Sequence, residues 1–161
     1  LIVCTAPSKT FNLAGVQTSL ILIPNKEVRE AYQRTLGNVR IETPNSFGIA
    51  AVKSGYTQGE EWLEQVIEYL DGNRKFIEDF LKEKLPKAKY IKPEGTYLAW
   101  IYLEDVLKDK KIEKFFEEEA KVAIDYGYWF GEEGRGYIRL NFACPRSILE
   151  EALNRIINAL K

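Results

Sequence analysis

The chain has no histidine, no methionine and only two cysteines. Without histidine, Ser-His-Asp and Cys-His catalysis within this chain are excluded, as are histidine-ligated metal sites. Cys4 and Cys144 stand at opposite ends of the sequence. They form neither a disulfide framework nor a metal knuckle, a usage that fits a reducing cytoplasm. There is no excess of either charge: 23 basic and 24 acidic residues are well mixed, for a net charge of −1. No basic block is present that would track a phosphate backbone, so nucleic acid is not an expected partner. Apolar runs such as "SLILIP" at Ser19–Pro24 are too short to span a bilayer, so no membrane partner is expected. Methionine is missing even at position 1, and the chain opens inside the strand-like "LIVCTA". It is therefore expected to be a fragment of a longer protein whose N-terminal part is absent.

What is present suits a folded core. Of 161 residues, 45% are hydrophobic and 12% aromatic, a globular composition on a length that suits one domain or a domain plus a piece of another. Leu1–Thr5 reads as a strand, Lys9–Gln17 as an irregular turn, and Ser19–Ile23 as a second strand closed by Pro24. Lys26–Leu36 has helical character and ends at Gly37. "IETPNSFG" reads as a loop, followed by a helix over Ser46–Ser54 stopped by Gly55. From Gly59 to Leu85, Trp62, Leu63, Val66, Ile67, Leu70, Phe76, Ile77, Phe80 and Leu81 recur in steps of three and four, one stripe of a helix. Gly72 and Asn73 are expected to interrupt it, and Pro86 to end it. A helix of that length can join two domains, which places a soft boundary at Gly72. Tyr90–Lys92 and Tyr97–Leu103 read as strands, Lys111–Lys121 as an amphipathic helix, and Val122–Ile124 as a short strand. Gly136–Phe142 is a further strand. After Pro145, Leu149, Ala152, Leu153, Ile156, Ile157 and Leu160 form the buried face of a last helix. The class is α/β or α+β.

"SKT" at Ser8–Thr10 has the ending of a phosphate-binding P-loop, but that motif needs upstream glycines whose amides close around the phosphates. Thr5, Ala6 and Pro7 precede it instead, and the P-loop reading fails. The longer string "TAPSKTFNLAG" at Thr5–Gly15 resembles the Schiff-base lysine segment of fold-type-I pyridoxal-phosphate enzymes. "GYIRLNFACPR" at Gly136–Arg146 resembles the segment that presents the arginine for the substrate α-carboxylate. "PEGTYLAW" at Pro93–Trp100 and "DYGYWFGEEGRGYIRLN" at Asp125–Asn141 resemble the same branch. In order and spacing the chain is similar throughout to the C-terminal portion of the class I/II aminotransferase family, in its MalY/PatB-type cystathionine β-lyase (C–S lyase) branch.

The resemblance implies an α/β fold made of the end of the large cofactor-binding domain (residues 1–72) and a small C-terminal domain (73–161). It implies pyridoxal 5'-phosphate as cofactor, Lys9 as the Schiff-base and Cα-proton-transfer residue, and Ser8 and Thr5 as cofactor-phosphate donors. Arg139 is implied to bind the substrate carboxylate, for which a planar fork with two parallel N–H bonds is suited. Many relatives carry a basic residue eight positions after the lysine; here Gln17 stands there, compatible with the C–S lyase branch. For Tyr97 and Trp129, packing and ligand contact both remain open. Asn12 is expected to fix the turn by side-chain hydrogen bonds. Arg146 is read as structural, Arg135 as solvated, and Glu117–Glu119 as an exposed helix face.

The implied parent is a lyase or aminotransferase acting on an amino acid. β-Elimination of a sulfur leaving group and transamination to a 2-oxo acid share their first proton removal, so the lysine motif does not choose between them. A non-catalytic regulatory or dimerisation module of the same fold is the alternative of another class. A homodimer is implied, with the "TPNSFG" loop at Thr43–Gly48 a candidate for reaching the neighbour. The partner of the pyridine nitrogen and the residue stacking on the ring are implied to lie upstream of Leu1. Residues 1–161 alone are accordingly expected to be inactive.

Overall fold

In the computed structural model, which describes residues 1–41 and 43–161, the chain forms two units, Leu1–Val66 and Ile67–Lys161. Glu42, part of the expected "IETPNSFG" loop, lies outside the described residues. No helix among the described residues is long and apolar enough to cross a membrane.

In the first unit, β1 (Val3–Thr5) pairs antiparallel with β2 (Leu20–Leu22), Cys4 opposite Ile21. Both strands are shorter than their apolar runs. α1 (Lys26–Asn38) starts at Asn25, whose side chain accepts from the Val28 amide, and an acidic Glu27 in its first turn complements the helix dipole. It runs through Gly37, the expected stop. α2 (Ser46–Gln58) starts at the expected Ser46 and is capped by Asn45, which accepts from the Gly48 amide at 2.7 Å, so only the loop reading of Ser46–Gly48 gives way. α2 also runs through Gly55, because that glycine is a seat and not a stop: a Cβ there would stand 3.0 Å from the Phe11 ring. A Cβ on Gly59 would stand 2.7 Å from the same ring. Ile23 and Val52 are buried, whereas Leu1, Ile41 and Phe47 are 95%, 70% and 82% exposed. Two short strands pairing only with each other are marginal in water, and this unit leaves much apolar surface bare.

α3 (Glu60–Lys84) is continuous; the expected break at Gly72–Asn73 does not occur. In the second unit an antiparallel sheet has the order β3 (Lys89–Ile91), β4 (Leu98–Tyr102), β6 (Tyr137–Asn141), β5 (Asp125–Tyr126). α4 (Glu104–Leu107) follows β4. The expected helix 111–121 is instead the single turn α5 (Ile112–Lys114) leading into a π-helical stretch, Phe115–Ala120. Val122 donates back to the Phe116 carbonyl at 3.0 Å, closing the wide turn, and Phe115, Phe116 and Ala120 are all buried. Residues 122–124 are not a strand; pairing begins at Asp125. α6 (Arg146–Ala159) closes the chain with Leu149, Leu153 and Ile156 buried as their spacing predicts.

Alternation along β4 and β6 divides the sheet into two faces. Ala99, Ile101, Ile138 and Leu140 join Ile77 and Leu81 of α3 and the buried residues of α6 in one core. Trp100, Tyr102, Tyr137 and Arg139 are half-buried on the other face.

Candidate functional site

Pro7 is buried, Ser8 half-buried, and Lys9 and Thr5 exposed. Thr5 closes β1, and Ser8 and Lys9 lie in the turn that follows it. The Phe11 amide donates to the Pro7 carbonyl at 3.0 Å and the Leu13 amide to the Ser8 carbonyl at 2.8 Å, which fixes the backbone around Lys9. Phe11 anchors the turn, its ring 5.9 Å from Tyr56 and 6.2 Å from Trp62. Asn12 contributes by adopting a left-handed φ of 54°, which Asn tolerates better than most residues; it makes no side-chain hydrogen bond among the described residues, correcting the expected one. Gln17 also has a positive φ, 47°, and is exposed. The Asn45 amide group donates to the Val16 carbonyl at 2.8 Å, tying the start of α2 to the end of this turn. Among the described residues the Lys9 amine and the Thr5 and Ser8 hydroxyls have no hydrogen-bond partner, so all three are available to a ligand.

Arg139 belongs to the second unit. On β6 it faces Trp100 of β4 and Asp125 of β5 across the two ladders. Its Nε donates to Asp125 Oδ2 at 2.9 Å, and Nη2 lies 2.8 Å from the same oxygen. The guanidinium carbon lies 4.4 Å from the centroid of Phe130, a cation–π contact. Trp100 sets its ring edge-on to Phe130 at 5.6 Å and stacks on Tyr137 at 5.4 Å. The expected strand arginine is thus held in an aromatic frame, with its side chain 32% exposed.

Phe130 reaches Arg139 from a loop whose two legs meet at glycines. A Cβ on Gly134 would stand 2.1 Å from the Gly127 carbonyl oxygen, and a Cβ on Gly127 equally close to that of Gly134. Neither backbone can yield cheaply, so Gly134→Ala is expected to cost about 1–3 kcal/mol through overpacking. A urea midpoint equal to the parent's would show that this loop opens freely.

Sequence reasoning missed two positions. Asp125 sits in the quoted motif but has no local signal of its partner. Asn73 is fully buried. Its amide group donates to the carbonyls of Phe142 and Cys144 at 2.9 and 3.0 Å, and its carbonyl accepts from Arg146 Nε at 2.8 Å. The residue read as a helix breaker therefore ties α3 to the β6–α6 connection. Arg146 is structural as read, lying also 4.6 Å over the Phe76 ring.

Arg135 is exposed but paired with Glu132 at 2.5 Å. Glu117 and Glu119 are exposed yet bonded, Glu117 accepting from Tyr126 Oη at 2.8 Å and Glu119 from Lys110 at 2.6 Å. Tyr97 is half-buried against the core, and Trp129 is 58% exposed beside Tyr126. Burial pushes the Cys144 thiol up, which keeps it protonated and a poor nucleophile near neutrality. Among the described residues no group of three or more Cys, Asp or Glu is placed to hold a metal ion.

The sequence profile of the aminotransferase class I and II family matches residues 1–156. Cystathionine beta-lyase PatB of Bacillus subtilis (strain 168) is 36% identical over 160 residues, 99% of this chain and 41% of that protein. Cystalysin of Treponema denticola, solved with pyridoxal 5'-phosphate, superposes with a TM-score of 0.91 at 36% identity, over 99% of this chain and 41% of its own. The PLP-bound C-S lyase of Staphylococcus hominis superposes with a TM-score of 0.87, also at 36% identity, over 99% and 42%. The chain thus spans about two-fifths of the length of these relatives. With a profile match over nearly its whole length and the same α/β fold, the chain belongs to the aminotransferase class I and II family.

Proposed function

We propose that the full-length protein is a pyridoxal-phosphate enzyme that cleaves a carbon–sulfur bond in an amino acid. The observation that carries this reading is the segment Thr5–Lys9, the end of β1 and the turn after it, which offers an amine and two unengaged hydroxyls within five residues, beside a backbone fixed at Pro7 and Ser8. That donor set fits the cofactor: Thr5 and Ser8 can donate to a phosphate, and Lys9 Nζ can hold its aldehyde carbon. Bound there, pyridoxal phosphate supplies a conjugated ring that accepts the electrons left when Cα loses its proton. Lys9 takes that proton at Nζ and returns it. Arg139 binds the substrate α-carboxylate through its planar fork. The reading requires both residues to act on one substrate.

We place residues 1–72 at the end of the large domain and 73–161 in the small one. The bare apolar side chains of the first unit, Leu1, Ile41 and Phe47 among them, support a larger core to which it contributes. Phe47, in the first turn of α2, also supports a homodimer contact. The cytoplasm remains the proposed location, on the two unpaired cysteines.

Lyase and aminotransferase are separated by the product. Given cystathionine and no added oxo acid, the full-length protein is expected to release pyruvate catalytically. Turnover that appears only when a 2-oxo acid is supplied would instead establish the aminotransferase. No turnover in either case, with no cofactor bound, would establish the non-catalytic module.

A further inference from the structure

Arg139 does not approach a ligand as a freely turning side chain. One edge of its guanidinium, Nε and Nη2, is already engaged by a single oxygen, Asp125 Oδ2, at 2.9 and 2.8 Å. Phe130 covers one face at 4.4 Å, and Trp100 stands opposite Arg139 on the neighbouring strand. The remaining edge, Nη1 with the second N–H of Nη2, makes no hydrogen bond among the described residues. That edge presents two parallel donors, the geometry a carboxylate takes bidentately. The Asp125 contact comes from the ladder: β5 pairs with β6 so that Asp125 and Arg139 face each other directly.

We propose that Asp125 is a positioning residue, which grips the Nε edge of Arg139 so that the Nη1–Nη2 edge is presented ready-oriented to the substrate carboxylate. The proposal rests on the carboxylate-binding reading of Arg139 and deepens it. An unheld arginine loses side-chain entropy when it binds. Here Asp125 and Phe130 restrain it beforehand, so less of the binding energy goes into ordering. Charge alone argues for the opposite effect: an aspartate beside Arg139 repels a carboxylate, and its removal would tighten binding. The two effects therefore differ in sign.

The test uses the full-length holoenzyme with S-ethyl-L-cysteine as substrate and S-ethylcysteamine, its carboxylate-free counterpart, as inhibitor. Asp125→Ala is expected to raise KM about tenfold with kcat within about threefold, the pattern of lost ground-state binding. Inhibition by S-ethylcysteamine should be unchanged, since it offers Arg139 nothing to bind. Asp125→Asn, which keeps an acceptor oxygen for Nε, should restore KM to within about threefold of the parent. An unchanged or lower KM in Asp125→Ala, with Arg139→Ala still raising KM, would overturn the positioning role and leave the carboxylate reading standing. Equal weakening of substrate and S-ethylcysteamine would also overturn it, by showing a general distortion. If Arg139→Ala leaves KM unchanged, the carboxylate reading itself falls and the proposal with it.

Discussion

Lys9→Ala in the full-length protein is expected to reduce turnover at least about a thousandfold, a loss of about 4 kcal/mol of transition-state stabilisation. The same substitution should leave the thermal stability of the cofactor-free protein within about 0.5 kcal/mol of the parent. The contrast follows from the placement of the side chain. Lys9 is exposed and has no hydrogen-bond or ion-pair partner among the described residues, so the fold loses nothing with it. The turn is held by the Pro7 and Ser8 carbonyls and by Phe11 against Tyr56 and Trp62, none of which the substitution touches. A mere surface lysine would give no effect on either quantity. Visible absorbance of the lysine-bound cofactor should vanish along with activity, and Lys9→Arg should fail equally, because a guanidinium stays protonated and cannot act as a base. Turnover within tenfold of the parent would remove Lys9 from the chemistry.

Asn73→Leu should do the reverse, unfolding the second unit without touching any group proposed for chemistry. The side chain is fully buried and makes three hydrogen bonds, two to carbonyls and one from Arg146. Leucine keeps the branched heavy-atom skeleton, but its methyls are larger than the amide's oxygen and nitrogen, so some overpacking adds to the loss of polarity. It leaves the Phe142 and Cys144 carbonyls and the Arg146 Nε without their partner. At about 1–3 kcal/mol for each polar group left unpaired, and partial relief where water can reach Cys144 and Arg146, a total of about 3–5 kcal/mol is expected. Urea denaturation of the full-length protein, followed by far-UV circular dichroism, would measure it. Arg146→Ala removes one of the bonds and the contact with Phe76, and is expected to cost about 1–2 kcal/mol. Combined with Asn73→Leu the two should be less than additive, because they share a bond. Strict additivity, or a cost below about 1 kcal/mol for Asn73→Leu, would show that the β6–α6 connection is held by apolar packing alone.

Several elements of this protein were written in local order. The steps of three and four through α3 and α6, Pro24 and Pro86 as punctuation, and Pro145 before the last helix all act within a few residues, and helices form on such signals. The turn after β1 and the strand carrying Arg139 were likewise legible as elements, from the polar residues that follow an apolar run and from the alternation in "YIRLNF". Glycine and asparagine were misread where their role was long-range. Gly55 resembles a helix stop until Phe11, far earlier in the chain, is seen to need the space of its missing Cβ. Gly72–Asn73 resembles a break until the partners of Asn73, 69 and 71 residues away, are in place. The π-helical turn at Phe115–Ala120 escaped for a related reason: its polar Glu117–Glu119 face suits an ordinary helix, and the buried Phe115–Phe116 pair shows itself only in the assembled core.

By itself, then, the sequence determined where most of the helices run and put forward Lys9 and Arg139 as candidates for chemistry, because neighbours along the chain set the first and short motifs the second. Tertiary structure alone decided what holds those side chains. Asp125 and Arg139 are 14 residues apart, a separation that specifies nothing until β5 pairs with β6 and sets the register. Asn73 becomes a tie and not a flaw only once burial makes every unpaired carbonyl costly. A hydrogen bond in the interior is chosen by what the fold brings within reach, and no local pattern records that.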